Sequence, residues 1–245
     1  MIVVATRAEA QARRRAYTSP HGARATVDTY FGVNRSMRDD LAADPDGLAP
    51  NAYLVMQDPG AVLQPHFHEA DQFQVVVRGC GRIGTHAVGA LTVHYAAAHS
   101  PYGPVVAGPE GLHYLTLRHR ADPGAQWMPE AAPRLRGMAG RRHVVLTSSI
   151  VPVGAASADA RGEPATPLLA DGDAGAWTVA LGAGASWRLD VCGGCFVHAT
   201  SGDLQVSGIG MGPQACLFAG GDERAIVLSA GPGGARAVVV RFGGR

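Results

Sequence analysis

One twelve-residue stretch occurs twice in this chain, the second copy 123 residues after the first. Ala107-Gly-Pro-Glu-Gly-Leu-His-Tyr-Leu-Thr-Leu-Arg118 corresponds to Ala230-Gly-Pro-Gly-Gly-Ala-Arg-Ala-Val-Val-Val-Arg241, with five of the twelve positions identical and the strand residues alike in kind. The same offset carries Gly79 onto Gly202, each at the end of a strand, and Tyr53-Leu-Val-Met onto Ala176-Trp-Thr-Val, each at a strand start. Repetition at a fixed spacing with agreeing landmarks means one domain present in two copies. A chain of 245 residues is long enough for two ordinary domains, each with its own core.

The domain is all-β. Charged residues are only 17% of the chain, Gly (33) and Pro (16) are abundant, and the apolar segments are short, which favours short strands over long helices. Strands are expected at 53–57, 63–68, 72–77, 91–95, 112–118 and 143–151, with turns at Ser19-Pro20-His21-Gly22, Asp44-Pro45-Asp46-Gly47 and Asp58-Pro59-Gly60. Strands at this spacing make a sandwich or a barrel. Residues 1–50 are read as an arm that adds a strand or two to a barrel or crosses to a partner subunit, 51–120 as the first barrel, 121–142 as a Pro/Gly-rich linker and 143–245 as the second barrel. A homodimer is expected.

A formal net charge of +1 offers no electrostatic footprint for nucleic acid or a membrane surface. No apolar run approaches the roughly 18 residues that span a bilayer. The apolar start Ile2–Ala5 precedes Arg7, Arg13, Arg14 and Arg15, the reverse of a secretory signal, so the expected location is cytoplasmic. In that compartment Cys80, Cys192, Cys195 and Cys216 are expected as buried thiols rather than a disulfide frame.

The chemistry concentrates between Gly60 and Gly79. Five residues after Gly60 come His66-Phe67-His68, then three residues, Gln72, six residues and Gly79. Residues two apart on a strand share a face, so both imidazoles point the same way, Phe67 packs on the other side, and Gln72 reaches the same point from the next strand. Two imidazoles and an oxygen donor converging inside a barrel suit a divalent metal. Gln74, on the same face as Gln72, is a candidate lining residue.

This segment resembles the first motif of the cupin family, Gly-x5-His-x-His-x3/4-Glu-x6-Gly. The resemblance implies two small jelly-roll barrels in tandem, a bicupin, with a metal (Zn, Ni, Mn or Fe) near the mouth of the first barrel, held by His66, His68 and Gln72. Gln72 departs from the family's Glu and leaves the metal's charge uncompensated, which favours an anionic ligand and disfavours oxygen activation by a two-histidine, one-carboxylate triad. The family's later motif, Pro-x-Gly-x2-His, meets Tyr95-Ala-Ala-Ala-His-Ser-Pro-Tyr-Gly-Pro104 here, so either Tyr102 or His99 takes the fourth position. The second copy has Leu189-Asp-Val-Cys-Gly-Gly-Cys195 where the histidine motif would fall. Cys192 and Cys195 lack a second Cys/His pair, and this barrel is read as one that kept its fold and lost its ligands. His94, His113, His119 and the repeated Arg118 and Arg241 are read as structural, and Glu69 and Asp71 as solvated turn residues.

Three functions remain open. The first is a metal-dependent enzyme of the isomerase, lyase or hydrolase type, acting on a small anionic molecule, with the ion as Lewis acid and Tyr102 or His99 as the catalytic base that moves a proton. The second is a non-catalytic binding or sensing cupin. The third is a metal-dependent dioxygenase.

Overall fold

The computed structural model describes residues 1–32, 50–138, 142–150 and 167–244; the expected turn at 44–47 lies outside them. It divides into two compact units, Arg13–Val151 and Met1–Ala12 with Pro152–Arg245. The chain opens with β1 (Ile2–Ala5) and α1 (Arg7–Ala12). It continues with β2 (Arg15–Thr18), β3 (Arg24–Phe31), β4 (Asn51–Gln57), β5 (Val62–Leu63), β6 (His66–Phe67), β7 (Gln72–Ile83), β8 (His86–Val88), β9 (Val93–Ala96), β10 (Val105–Arg118), β11 (Gln126–Trp127), α2 (Ala132–Arg136) and β12 (Val145–Thr147). The rest is β13 (Leu169–Asp171), β14 (Ala174–Leu181), β15 (Ser186–Asp190), β16 (Gly194–Val206), β17 (Ile209–Met211), β18 (Cys216–Gly220) and β19 (Ala225–Arg241). Neither helix is long and apolar enough to cross a membrane.

In the first unit the sheet order is β12-β9-β7-β10-β4-β3-β2, with β5 added to β10 and β8 to β7, and β6 pairs with β11 as a separate ribbon. Local chemistry sets the connections. Gly22 N donates to Ser19 O and Ala23 N to Ser19 Oγ, which closes the β2–β3 hairpin. Pro59 presets φ, Gly60 takes φ +69°, and Ala61 N donates to Asp58 O at 3.0 Å, as a type II turn requires. The strand expected over 63–68 is instead two short ones, β5 and β6, parted by Gln64-Pro65, because proline has no N–H to give a ladder.

The duplication is visible in the backbone. β7 and β10 form an antiparallel pair interrupted where Gly79 faces Leu112, and β16 and β19 repeat it with Gly202 opposite Ala235. Gly79 and Gly111 have φ of +77° and +83°; Gly202 and Gly234 have +78° and +75°. Both interruptions let the long strands bend and serve two faces of a barrel. Elsewhere the 123-residue offset drifts. Tyr53 pairs with Thr116, whereas Trp177 pairs with Val239, so β14 answers β4 at 124 and Tyr53 corresponds to Trp177 rather than to Ala176. A one-residue difference matters because it exchanges the two faces of a strand.

Two expected boundaries move. β12 pairs with β9 of the first barrel, and β11 pairs with β6, so the stretch expected as linker and the start of the expected second barrel complete the first one. Proline and glycine made 121–142 look like a spacer, but among its described residues Gln126 and Trp127 pair with β6, and Gly124 N donates to the Asp122 carboxylate. At the other end, β1 pairs with β18 of the second barrel, whereas β2 and β3 extend the first through β4. The expected arm therefore serves both units.

The second barrel follows the order β1-β18-β16-β19-β14-β13 and has an apolar core. Trp177, Leu189, Val191, Cys195, Val197, Leu217 and Val239 lie in one apolar cluster. By strand register Cys195, Val197, Leu217 and Val239 stand where Gln72, Gln74, His94 and Thr116 stand in the first barrel. In this copy those positions carry three aliphatic side chains and a thiol. Its buried Cys195 thiol is pushed up to about 12 by burial, which suits a core residue and not a thiolate. Cys216 is buried too, but Cys80 and Cys192 are exposed, contrary to expectation.

His198 on β16 is the buried imidazole of this barrel. Burial, reinforced by Arg7 and opposed by the Ala215 backbone, lowers its pKa from 6.5 to about 4. The unfolded chain therefore takes up a proton that the folded one refuses. Its contribution is intact above pH 6.5 and is lost as pH falls through about 4, a difference of about 3 kcal/mol. Urea unfolding of wild type and His198→Leu at pH 7 and pH 4.5 checks this. The wild type should lose clearly more stability between the two; equal losses would exclude His198 as a source of acid sensitivity.

Candidate metal and ligand site

β6 supplies His66, His68 follows directly after that strand and not within it as expected, and Gln72 opens β7. His66 (4% exposed), His68 (7%) and Gln72 (0%) are buried, and the two imidazole centroids lie 5.2 Å apart. Each imidazole is fixed at its rear nitrogen. His66 Nδ1 donates to Gln64 O at 2.7 Å, and His68 Nδ1 donates to Asp122 Oδ2 at 2.7 Å. Both Nε2 atoms keep their lone pairs on the cavity side, the arrangement by which second-shell acceptors prepare histidines for a metal. Burial, with His68 and Arg118 adding to it, lowers the His66 pKa from 6.5 to about 3. Burial and Arg118 lower that of His68 despite Asp122, so both rings are neutral and able to coordinate.

Of the two candidates for the fourth position, the structure brings Tyr102 to the site and leaves His99 outside. His99 has φ +60°, the left-handed conformation that the motif's glycine would take, and so Tyr102, three residues on, stands at the motif's histidine. The Tyr102 hydroxyl donates to His66 Nε2 at 2.9 Å and accepts from Gln72 Nε2. The His99 ring packs near Phe67, at 6.0 Å between centroids, on the face away from the motif imidazoles. A catalytic role for His99 has no geometric support.

Arg118 is the residue that sequence reasoning assigned to the scaffold and that the structure places in the site. Its equivalence to Arg241 is real: one guanidinium lies over Tyr53 and the other over Trp177. Arg241 donates to backbone carbonyls at the surface. Arg118 is 3% exposed and reaches inward, with Nε and Nη2 donating to Gln72 Oε1 at 3.1 and 2.8 Å. Nη2 also lies 3.1 Å from His68 Nε2, and Nη1 donates to Tyr53 OH at 2.8 Å. By alternation Tyr114, Thr116 and Arg118 share a face of β10, which is a signal the sequence did carry.

Asp122 carried no such signal. Its Oδ1 accepts from Glu69 N at 2.9 Å and its Oδ2 from Gly124 N at 3.0 Å besides His68, while Arg118 Nη1 is 3.7 Å away. Burial alone would raise its pKa, but His68 and Arg118 together hold it below the ordinary carboxylate range. It is the nearest negative charge to the guanidinium. Asp71 and Glu69 are also engaged: Asp71 Oδ1 accepts from Ala98 N at 2.7 Å, and Glu69 pairs with Arg134 of α2 at 2.8 Å.

The cavity in front of these groups opens to solvent at its mouth. Its walls combine His66, His68, Gln74, Tyr102 and Arg118 with Tyr17, Val27, Tyr53, Val55, Leu63 and Trp127. Such a mix of apolar wall and a few polar groups suits a small organic molecule. Gln74, which could equally have packed against a neighbour, lines it, and among the described residues its buried Oε1 has no hydrogen-bond partner. His94, expected as structural, is held by Thr147 Oγ1 at 2.8 Å through Nδ1.

The residues present fit a divalent ion in part. The two anchored imidazoles suit one, and Gln72 and Tyr102 offer further oxygens. Arg118 in its present position does not share the site with an ion: at about 4 Å and an effective dielectric of about 20, a guanidinium and a dication repel by about 8 kcal/mol. Among the described residues no three His, Cys, Asp or Glu side chains converge.

No family model and no curated protein matches the sequence. Similarity emerges in three dimensions. A protein from Nostoc punctiforme whose assignment as a dioxygenase is itself provisional aligns with a TM-score of 0.64 at 13% identity, over 98% of this chain and 82% of that one. The bacterial pirin YhhW from Escherichia coli, solved in complex with nickel(II), aligns at 0.58 and 14% identity, over 99% of this chain and 100% of that one. Oxalate decarboxylase from Bacillus subtilis, described with Mn(II) centres, aligns at 0.56 and 11% identity, over 96% and 76%. These are cupins, and this chain has the cupin fold in two tandem copies.

Proposed function

We propose that the first barrel binds a divalent metal on His66 and His68 and uses it to act on a small anionic molecule, as an enzyme of the isomerase, lyase or hydrolase type. The observation that carries this reading is the pair of imidazoles anchored at Nδ1 with both Nε2 atoms turned to the cavity. Nickel in the similar pirin and manganese in the similar oxalate decarboxylase support a divalent ion. Gln72 and Tyr102 would complete the ligand set. When bound, the metal supplies Lewis-acid polarisation of a substrate oxygen.

The chain's own groups do the rest. Arg118 binds and orients the anionic end of the ligand, with a planar fork of donors that matches a carboxylate. The Tyr102 hydroxyl, which accepts from Gln72 Nε2, is positioned to give its proton to an oxygen gaining negative charge. Burial keeps that hydroxyl protonated at neutral pH, so it acts as donor rather than base. Tyr53, Val55 and Trp127 exclude water around the ligand.

Metal analysis of purified, nickel-exchanged protein tests the reading directly. Wild type should retain a stoichiometric ion that His66→Ala/His68→Ala has lost; a wild type with no bound ion would sink it. A metal-free binding protein is the second reading, favoured by the guanidinium resting on Gln72 and His68. Thermal stabilisation by organic acids, unchanged by chelator, would select it.

A further inference from the structure

Arg118 stands where a metal would have to sit. Gln72 Oε1 accepts from its Nε and Nη2, Nη2 lies over the His68 ring at 3.1 Å from Nε2 and 3.2 Å from Nδ1, and Nη1 is tied to Tyr53. We propose that Arg118 is an internal competitor for the metal, and that a small apolar carboxylic acid releases the site by drawing the guanidinium off, so that metal and acid bind cooperatively. The inference rests on the metal reading and adds to it both a ligand class and a regulation.

The charges argue for this coupling. With an ion present, Arg118 and the metal stand in a buried site where Asp122 is the nearest carboxylate, and Asp122 is already committed to His68 and two backbone N–H groups. A ligand carboxylate supplies the missing negative charge. It also binds a guanidinium in two parallel charge-assisted bonds, whereas Gln72 offers one neutral oxygen. Arginine is long enough to turn about its stem into the cavity it already lines. The walls there are Tyr17, Val27, Tyr53, Val55 and Trp127, which suit a carboxylate carried on an aromatic or branched aliphatic body.

Gln72 fits the same account. A glutamate at this position would hold Arg118 as a salt bridge that an incoming carboxylate could not easily break. The neutral amide satisfies the guanidinium and still yields it.

Nickel titration calorimetry on the full chain, with and without benzoate, tests the proposal. In wild type, benzoate should tighten nickel binding at least about tenfold, within the usual span of coupling between two sites. Arg118→Met, checked for native circular dichroism, should bind nickel at least about tenfold tighter than wild type without benzoate and should no longer respond to it. Wild-type nickel affinity unmoved by benzoate overturns the coupling and leaves the metal reading standing. A folded Arg118→Met that binds nickel no tighter than wild type does the same. No nickel binding in any arm overturns both. The benzoate arm needs no substitution, so a variant that failed to fold would not shield the proposal.

Discussion

Asp122→Ala should destabilise the first barrel by about 3–5 kcal/mol, the cost typical of removing one partner from a buried charged network. The carboxylate is 3% exposed and accepts from His68 Nδ1, Glu69 N and Gly124 N, with Arg118 beside it. Alanine leaves two backbone N–H groups without acceptors and the guanidinium without its nearest counter-charge. It also frees the ring of His68, so nickel retention should fall along with stability. Urea unfolding monitored by circular dichroism measures the first effect and metal analysis the second. A loss below about 1 kcal/mol would show that Asp122 is a passive loop residue and that the ring of His68 is held by something else.

The second large effect concerns the paired glycines that let each barrel's long strands bend. A Cβ on Gly79 would sit 2.3 Å from Gly111 O, and one on Gly202 would sit 2.2 Å from Gly234 O. Both glycines also have positive φ, so alanine would meet backbone strain as well as a collision that no side-chain rotation relieves. Gly79→Ala and Gly202→Ala should each cost about 2–4 kcal/mol. Gly208 is the control, because its φ is +83° but nothing lies within 4 Å of its Cβ position. Gly208→Ala should therefore cost only about 1–2 kcal/mol, the conformational part alone. Equal costs at all three positions would mean that the close approach of the strands contributes nothing.

These two predictions separate what was legible in the sequence from what was not. Gly79 and Gly202 were found by the repeat, because a bend needing φ > 0 selects glycine wherever it recurs. His66, His68 and Gln72 were legible for a similar reason: they lie within seven residues, alternation puts both imidazoles on one face, and a short turn brings Gln72 to the same point from the next strand. The register of the later motif was not legible. Tyr102 and His99 are three residues apart in an irregular segment, and the choice turned on a single backbone dihedral, φ +60° at His99. Arg118 and Asp122 lie 46 and 54 residues from their partners Gln72 and His68, and only the pairing of β10 with β7 and the return of the chain to β6 bring them in.

The sequence by itself therefore determined the duplicated all-β fold, the absence of a histidine motif from the second copy, and the three motif residues of the first, because each depends on residue type at short, fixed spacing. Tertiary structure alone decided which barrel β1 joins, where the first barrel ends, and that a buried guanidinium stands beside His68 and Gln72. A short strand such as β1 or β12 carries hydrogen-bonding groups that pair with any open edge, and nothing in its own residues names that edge. Buried charge works in the same way. Whether Arg118 faces water, as Arg241 does, or Gln72 and His68 depends on what the opposite strand presents, and in the two copies that is Cys195 and Gln72.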